Sequence, residues 1–235
     1  MNEWIQDVLG RLDEASETSQ VLARVSVAAR QLGFEHCAYG LRTPVPFTQP
    51  KTLMFSTYDE RWRCRYVDAG YLEVDPTVAH GMRSRTPVVW SNEVFRGAPQ
   101  MWDEARSFGL CVGWAQSVFE PDGRVGMLSL ARSGEPLTAA EMHAKDFLLE
   151  GLVHKAHCAF CRLLGGPLAE IEPLTKRQVE VLRWTSDGKT SNDIAVILCI
   201  SKPTVDFHLK NAMARLGAAT KSSAAALASR LGLLN

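Results

Sequence analysis

The chain has 235 residues, 46 % of them hydrophobic, and its 26 basic and 26 acidic side chains cancel to a formal charge of zero. That composition is globular, no run of 18 apolar residues offers a helical membrane span, and overall neutrality argues against a uniformly basic nucleic-acid binder. The charge is uneven, however: residues 174–235 hold 9 Lys and Arg against 4 Asp and Glu, while residues 1–173 hold 17 against 22. A basic module carried on an acidic partner domain is the implied organisation.

The start, MNEWIQDVLGRLDEASE, is acidic and amphipathic, unlike a basic signal peptide, so a cytoplasmic protein is expected. Residues 3–13 and 18–32 read as amphipathic helices, the second with Leu22, Val25, Ala28, Ala29 and Leu32 on one face. A strand over His36 to Arg42 lies between Gly33 and the Pro44–Pro46 break. Further strands are expected at 52–57, 87–90, 112–119 and 124–132, the last two joined by the turn Pro121-Asp122-Gly123. Helices are expected at 59–69, 76–84, 99–108 and 138–163. The fold class is α+β: an α-β-α sandwich about a five-stranded antiparallel sheet, over residues 1–164.

Several side chains in this domain carry two readings. Tyr58, Trp62 and Tyr66 recur every four residues, as plain core or as the wall of a ligand site. Asp75 before Pro76 is an N-cap, or a buried carboxylate that accepts an amide N–H from a ligand. Trp90 ends a strand, and Ser129 lies in the apolar run MLSLA, where a buried hydroxyl needs a partner. His154, His157, Cys158 and Cys161 suggest a metal, but all four fall on one helix with no second ligand-bearing loop, so no metal is expected. The six cysteines read as small hydrophobes in a reducing compartment.

The segment GGPLAEIEP, 165–173, combines two glycines with two prolines and reads as a linker. Beyond it, residues 174–235 divide into four short helices. Thr175 with Gln178 and Thr190 with Asp193 form capping boxes for the first two. Ser201 caps the third, with Pro203 in its first turn, and Gly217 ends it. The second and third helices, joined by Cys199-Ile200-Ser201, make a helix-turn-helix whose second helix enters the DNA major groove. On that helix Val205, Leu209, Ala212, Met213 and Leu216 form the apolar stripe, and Lys202, Asp206 and Lys210 lie off it. The DNA-reading candidates are Lys189, Thr190, Lys202, Thr204, Asp206, Lys210, Asn211 and Arg215. A solvated charged face on a small bundle is the plainer alternative.

The fragments YGLRTPVPFTQPKT (39–52), STYDERWRCRY (56–66), YLEVDPTV (71–78), PVVWSNEVF (87–95) and WDEARSFGLCVG (102–113), with the whole C-terminal module, occur in order. Together they resemble the LuxR family of acyl-homoserine-lactone receptors, nearest the branch of the Rhl, Phz and Cep regulators. The resemblance implies a quorum-sensing regulator that binds an N-acyl-homoserine lactone and needs no cofactor. It further implies a homodimer on a palindromic double-stranded DNA site, acting on RNA polymerase. In the implied pocket Trp62 donates to the lactone carbonyl and Asp75 accepts the ligand amide N–H. Tyr58 and Ser129 hold the acyl carbonyl, and Trp90 packs on the ring. Leu41, Met54, Tyr66, Val78, Met82, Trp102 and Met127 line the acyl tube. The last helix, 221–234, is implied to pair two DNA-binding domains through Ala224, Leu227, Ala228 and Leu231.

Two positions depart from the family pattern: Gln178 stands where Glu is usual, and Asp206 where relatives carry Asn, Lys or Arg. A response regulator shares the C-terminal module, but the strand HCAYGLR lacks the acidic pair that a phosphoacceptor domain requires after its first strand. A lactone hydrolase would need a nucleophile motif such as GxSxG, which is missing. A family member that responds to no lactone remains a distinct alternative.

Overall fold

The computed structural model describes residues 10–44, 50–165 and 172–234. Most of the helix expected over 3–13 and of the linker over 165–173 therefore lies outside the described residues. The chain divides into two compact units, the first carrying the sheet up to Leu164 and the second the helices from Lys176.

In the first unit, helix α1 (Thr18–Gln31) leads into strands β1 (His36–Arg42) and β2 (Thr52–Ser56). Helices α2 (Glu60–Asp68), α3 (Tyr71–Val74) and α4 (Pro76–Gly81) follow, then the two-residue strand β3 (Val88–Val89). A 3-10 turn at Val94–Gly97 precedes α5 (Pro99–Ser107), strands β4 (Val112–Phe119) and β5 (Val125–Arg132), and the long α6 (Ala139–Leu164). All strand pairs are antiparallel, in the order β2-β1-β5-β4-β3.

The alternation of side chains across the sheet separates two layers. Cys37, Tyr39 and Leu41 of β1, Trp114 of β4 and Leu128 and Leu130 of β5 pack against Val21 and Val25 of α1 and Leu149 and Phe160 of α6. The opposite layer is aromatic: Trp62, Tyr71, Phe95, Met101 and Trp102 cluster there with Leu110 and Ala131. Expected and observed elements agree closely; β1 and β4 have the boundaries read from the sequence. Helix α3 went unread, because four residues entered through Gly70 at φ +65° carry no periodicity. The helix expected over 76–84 stops at Gly81.

The second unit holds α7 (Lys176–Ser186), α8 (Ser191–Ile197), α9 (Lys202–Leu216) and α10 (Lys221–Arg230). Val181, Leu182, Ile194, Val205, Leu209, Ala212, Ala224 and Ala228 form its core. The capping boxes at Thr175–Gln178 and Thr190–Asp193 are present, and Thr220–Ser223 adds a third that the sequence reading did not name. The α8–α9 turn passes through Cys199 at φ +51°, a left-handed conformation that favours glycine.

Candidate functional site

A cavity of about 290 Å³ lies between the aromatic layer and the face of the sheet opposite α1 and α6. Its floor follows from strand parity: Ala38 and Gly40 of β1, Met127 and Ser129 of β5 and Ser117 of β4 share that face. Gly113 allows Trp90 to lie flat against β4, since a Cβ there would come within 2.3 Å of the indole. Of the twelve residues expected to meet the ligand, Tyr58, Trp62, Tyr66, Asp75, Trp90, Trp102 and Ser129 line the cavity, as do Met54, Val78, Met82 and Met127. Leu41 does not. It lies one residue out of phase, facing α6 with Cys37 and Tyr39, and is buried in the other layer.

Asp75 caps a helix and is also a buried carboxylate on the cavity wall. One carboxylate oxygen accepts from the Thr77 amide at 2.8 Å and the Thr77 hydroxyl at 2.7 Å, capping α4. The other accepts from the Tyr66 hydroxyl at 3.0 Å, so it has a lone pair left for the cavity. Burial raises the Asp75 pKa against the opposing pull of these hydrogen bonds. Burial also raises Tyr58 and Tyr66, keeping both phenols protonated and able to donate.

The donors around the cavity are uneven in their satisfaction. The indole N–H of Trp102 donates to Asn92 at 2.7 Å, and its ring stacks on Phe95 with centroids 4.3 Å apart. Among the described residues, Tyr58 Oη, Trp90 Nε1 and Ser117 Oγ are buried with no hydrogen-bond partner. Trp62, 3 % exposed, is held by edge-on and tilted ring contacts with Tyr66, Tyr71 and Phe108. Ser117 was missed from sequence; its signal was a second hydroxyl in an apolar strand, two residues beyond the position opposite Ser129.

The four side chains of α6 that were weighed as metal ligands lie in different surroundings. His154 and Cys158 are exposed, whereas His157 is buried with its Nδ1 2.8 Å from the Tyr39 hydroxyl and its Nε2 3.5 Å from Cys161 Sγ, so the exposed pair stands apart from the inner one. The expectation for cysteines also needs correction: only Cys37 is buried, its thiol pushed up to about 11 by desolvation, while Cys64, Cys158 and Cys199 are exposed.

In the second unit, the buried Val205, Leu209, Ala212 and Leu216 fix the inner side of α9. At about 100° per residue, Phe207 and Ala214 stand opposite that side, flanked by Lys210, Asn211 and Thr204. Phe207 is 60 % exposed and contributes nothing to the core. It does not stand among the DNA-reading candidates read from the sequence, although an aromatic side chain off the apolar stripe marks it as outward-facing. Lys189, Thr190 and Lys202 are exposed near the starts of α8 and α9. Thr190 and Thr204 are partly engaged in capping contacts, with Asp193 and Ser201.

Two of the expected DNA-contacting residues have partners within the unit. Asp206 sits on the flank of α9 and accepts from Ser191 and Lys221, each at 2.8 Å, which ties α9 to α8 and α10. Those bonds hold its carboxyl below the usual range. Arg215 reaches back to the Pro173 carbonyl and to Glu172 at 3.2 Å. The face of α10 expected to pair with a second copy is likewise occupied: Ala224, Ala228 and Leu231 are buried within the unit, and Ser222, Ala226 and Ser229 are the exposed side.

A small-molecule cavity in one unit and a helix-turn-helix in the other define a ligand-responsive DNA-binding regulator. Residues 17–160 match the family described as autoinducer binding domain, and residues 172–228 match bacterial regulatory proteins, luxR family. The chain is 39 % identical to the transcriptional activator AnoR of Acinetobacter nosocomialis over the full length of both. It is 35 % identical to the quorum-sensing regulator RhlR of Pseudomonas aeruginosa, over 98 % of this chain and 96 % of that one. The solved structure of SdiA from Escherichia coli superposes with a TM-score of 0.83 at 32 % identity, covering 99 % of this chain and 98 % of that one. The chain belongs to the LuxR family of quorum-sensing transcriptional regulators, with an autoinducer-binding domain followed by a DNA-binding domain. Its activity is regulation of transcription, not catalysis. No helix among the described residues is long and apolar enough to cross a membrane.

Proposed function

We propose that the cavity binds an N-acyl-homoserine lactone and that the protein, as a cytoplasmic two-fold dimer, then reads a palindromic promoter element and acts on RNA polymerase. The observation that carries the ligand reading is the cavity wall: hydrogen-bond donors on Tyr58 and Trp90 without protein partners, beside a buried Asp75 with acceptor capacity to spare. A neutral amphipathic ligand with carbonyl oxygens and one amide N–H fits that set, and the methionine-lined remainder suits an alkyl tail. In this reading Trp62 donates to the lactone carbonyl, Asp75 accepts the amide N–H, Tyr58 and Ser129 hold the acyl carbonyl, and Trp90 covers the ring. The SdiA structure bound to octanoyl-rac-glycerol supports an acyl chain in this fold. Thermal unfolding of the full chain with a panel of acyl-lactones tests the reading, with octanoyl glycerol as the rival. Stabilisation by the glyceride alone would overturn it.

On DNA, the outward face of α9 enters the major groove. Lys210 donates to guanine O6 or N7, and Phe207 packs on a thymine methyl. Lys189, Lys202 and the α8 amino terminus contact phosphates, giving affinity that falls steeply with salt. Pairing of two DNA-binding domains through α10 uses its exposed side, at Ser222, Ala226 and Ser229. Selection of bound sites from random duplexes tests this: paired half-sites are expected about one helical turn apart, with Phe207→Ala losing preference at one position. A single half-site bound by one copy would remove the dimer from the proposal.

A further inference from the structure

The hydroxyl of Ser117 is surplus to the lactone reading. Ser117 is 3 % exposed, lines the cavity, and has no hydrogen-bond partner among the described residues. Strand register sets it beside the other ligand-facing serine: Ala115 pairs with Ser129 and Ser117 with Met127, so the two serines are diagonal neighbours on one face. Gly81 at the end of α4 packs closely against it, as only glycine can. A Cβ there would fall 2.4 Å from Ser117 Oγ and 2.8 Å from the Met127 sulfur.

Matching donors to acceptors shows what this hydroxyl is for. An unsubstituted N-acyl-homoserine lactone has two carbonyl oxygens, one ring oxygen and one amide N–H. Trp62 serves the lactone carbonyl, Tyr58 and Ser129 the acyl carbonyl, Trp90 Nε1 lies with the ring, and Asp75 takes the N–H. Every polar atom of that ligand is then used, and Ser117 is left over. A buried hydroxyl opposite a bare alkyl chain stays unpaired, whereas an oxygen on the chain pairs with it. The diagonal separation on a sheet, about 7–8 Å, spans two hydrogen bonds and the few covalent bonds between an acyl carbonyl and a substituent near the start of the chain.

We propose that the ligand carries an oxo or hydroxyl group on its acyl chain, and that Ser117 recognises that oxygen. This rests on the lactone reading of the same cavity. Calorimetric titration of the full-length wild type and of Ser117→Ala tests it. The ligands are acyl-homoserine lactones of one chain length, unsubstituted or bearing an oxo or hydroxyl group at carbon 3. The wild type is expected to bind one oxygenated ligand at least about tenfold more tightly than the unsubstituted one, as a site built to hydrogen-bond a substituent discriminates against its absence. Ser117→Ala is expected to bring the two within about threefold by weakening the oxygenated ligand, with the unliganded melting temperature unchanged or higher because an unpaired hydroxyl is removed. Equal or tighter wild-type binding of the unsubstituted ligand overturns the proposal, as does a preference that survives in Ser117→Ala. Failure of the wild type to bind any of these lactones defeats the lactone reading itself, and this inference with it.

Discussion

Around the cavity of the first unit, Tyr58 Oη, Trp90 Nε1 and Ser117 Oγ are buried without partners, whereas in the second unit every helix begins at a hydroxyl that caps it, Thr175, Thr190, Ser201 or Thr220. Each unpaired buried group costs about 1–3 kcal/mol, and each cap contributes about 1 kcal/mol. One unit thus leaves stabilisation to be supplied by a ligand, whereas in the other no buried side-chain donor among the described residues is left unpaired, around a core of nine small and branched residues. The difference separates sensing from reading. A ligand has leverage where the protein is incomplete, and a DNA-reading surface works best when it is already rigid.

The sharpest way to break this comparison is to add ligand. At a thousandfold excess over Kd, a lactone specific to the folded state is expected to stabilise the first unit by about 4 kcal/mol and to leave the isolated cap network of the second unchanged. Hydrogen exchange followed residue by residue checks this, and equal protection gained in both units would erase the distinction. Next in size, Trp62→Phe is expected to weaken lactone binding by about 1–3 kcal/mol while changing unliganded stability little, since the indole N–H supports nothing else in the fold. Titration calorimetry paired with denaturant unfolding separates the two quantities.

Asp75 gives a pH-dependent version of the same contrast. Burial raises its folded pKa above the ordinary aspartate value of about 3.9, so between those two values the folded protein holds more protons than the unfolded chain. Unliganded stability contributed by this group therefore grows as pH falls through that window and is lost as pH rises through the folded pKa. A bound amide N–H holds the carboxylate ionised, so the liganded form gains less on acidification. The ligand-induced stabilisation is expected to shrink as pH falls, by at most about 1.4 kcal/mol per pH unit, and Asp75→Asn is expected to abolish that slope. Melting curves with and without lactone across the acid range measure it.

Much of this organisation was legible in the chain. Period-two alternation and turn residues located β1, β4 and β5, and hydroxyl-containing caps located α7, α8 and α9, because both are local physics. Strand parity is equally local, yet Leu41 was placed on the wrong face, since an alternating strand with two buried layers offers no polar side for orientation. The intramolecular contacts of Asp206 and Arg215 went unread for a different reason. Their partners, Lys221 and Ser191 for one and Glu172 and Pro173 for the other, are distant in sequence and meet only once the helices pack.

Cap removal is the next smaller effect. Ser201→Ala is expected to cost the second unit about 1 kcal/mol and to weaken DNA binding in proportion to the fraying of α9, with lactone affinity unaltered. Separate unfolding of the two units, followed by Trp184 fluorescence for the second, checks it. A loss of lactone affinity in this variant would mean that the two units are energetically coupled.

The smallest effect tests Asp206, where the sequence suggested a base contact and the fold supplies a tether. Its carboxylate already accepts from Ser191 and Lys221 and lies on the flank of α9, a quarter turn from Phe207. Both members of the ion pair are about half exposed, at 49 % and 42 %, so the pair is worth only about 0.2–1 kcal/mol. Asp206→Asn keeps one hydrogen bond and removes the charge; it is expected to lower stability by less than 1 kcal/mol and to leave base preference unchanged. Lys221→Met is expected to do the same, and the double variant to cost no more than either alone, because one interaction is removed in each case. Site selection on Asp206→Asn decides the matter: a shift toward adenine at one position would return Asp206 to the groove, since Asn pairs with adenine where Asp does not. An unchanged logo, with Lys210→Ala altering a guanine position, would leave recognition to the outward face and Asp206 to holding that face in place.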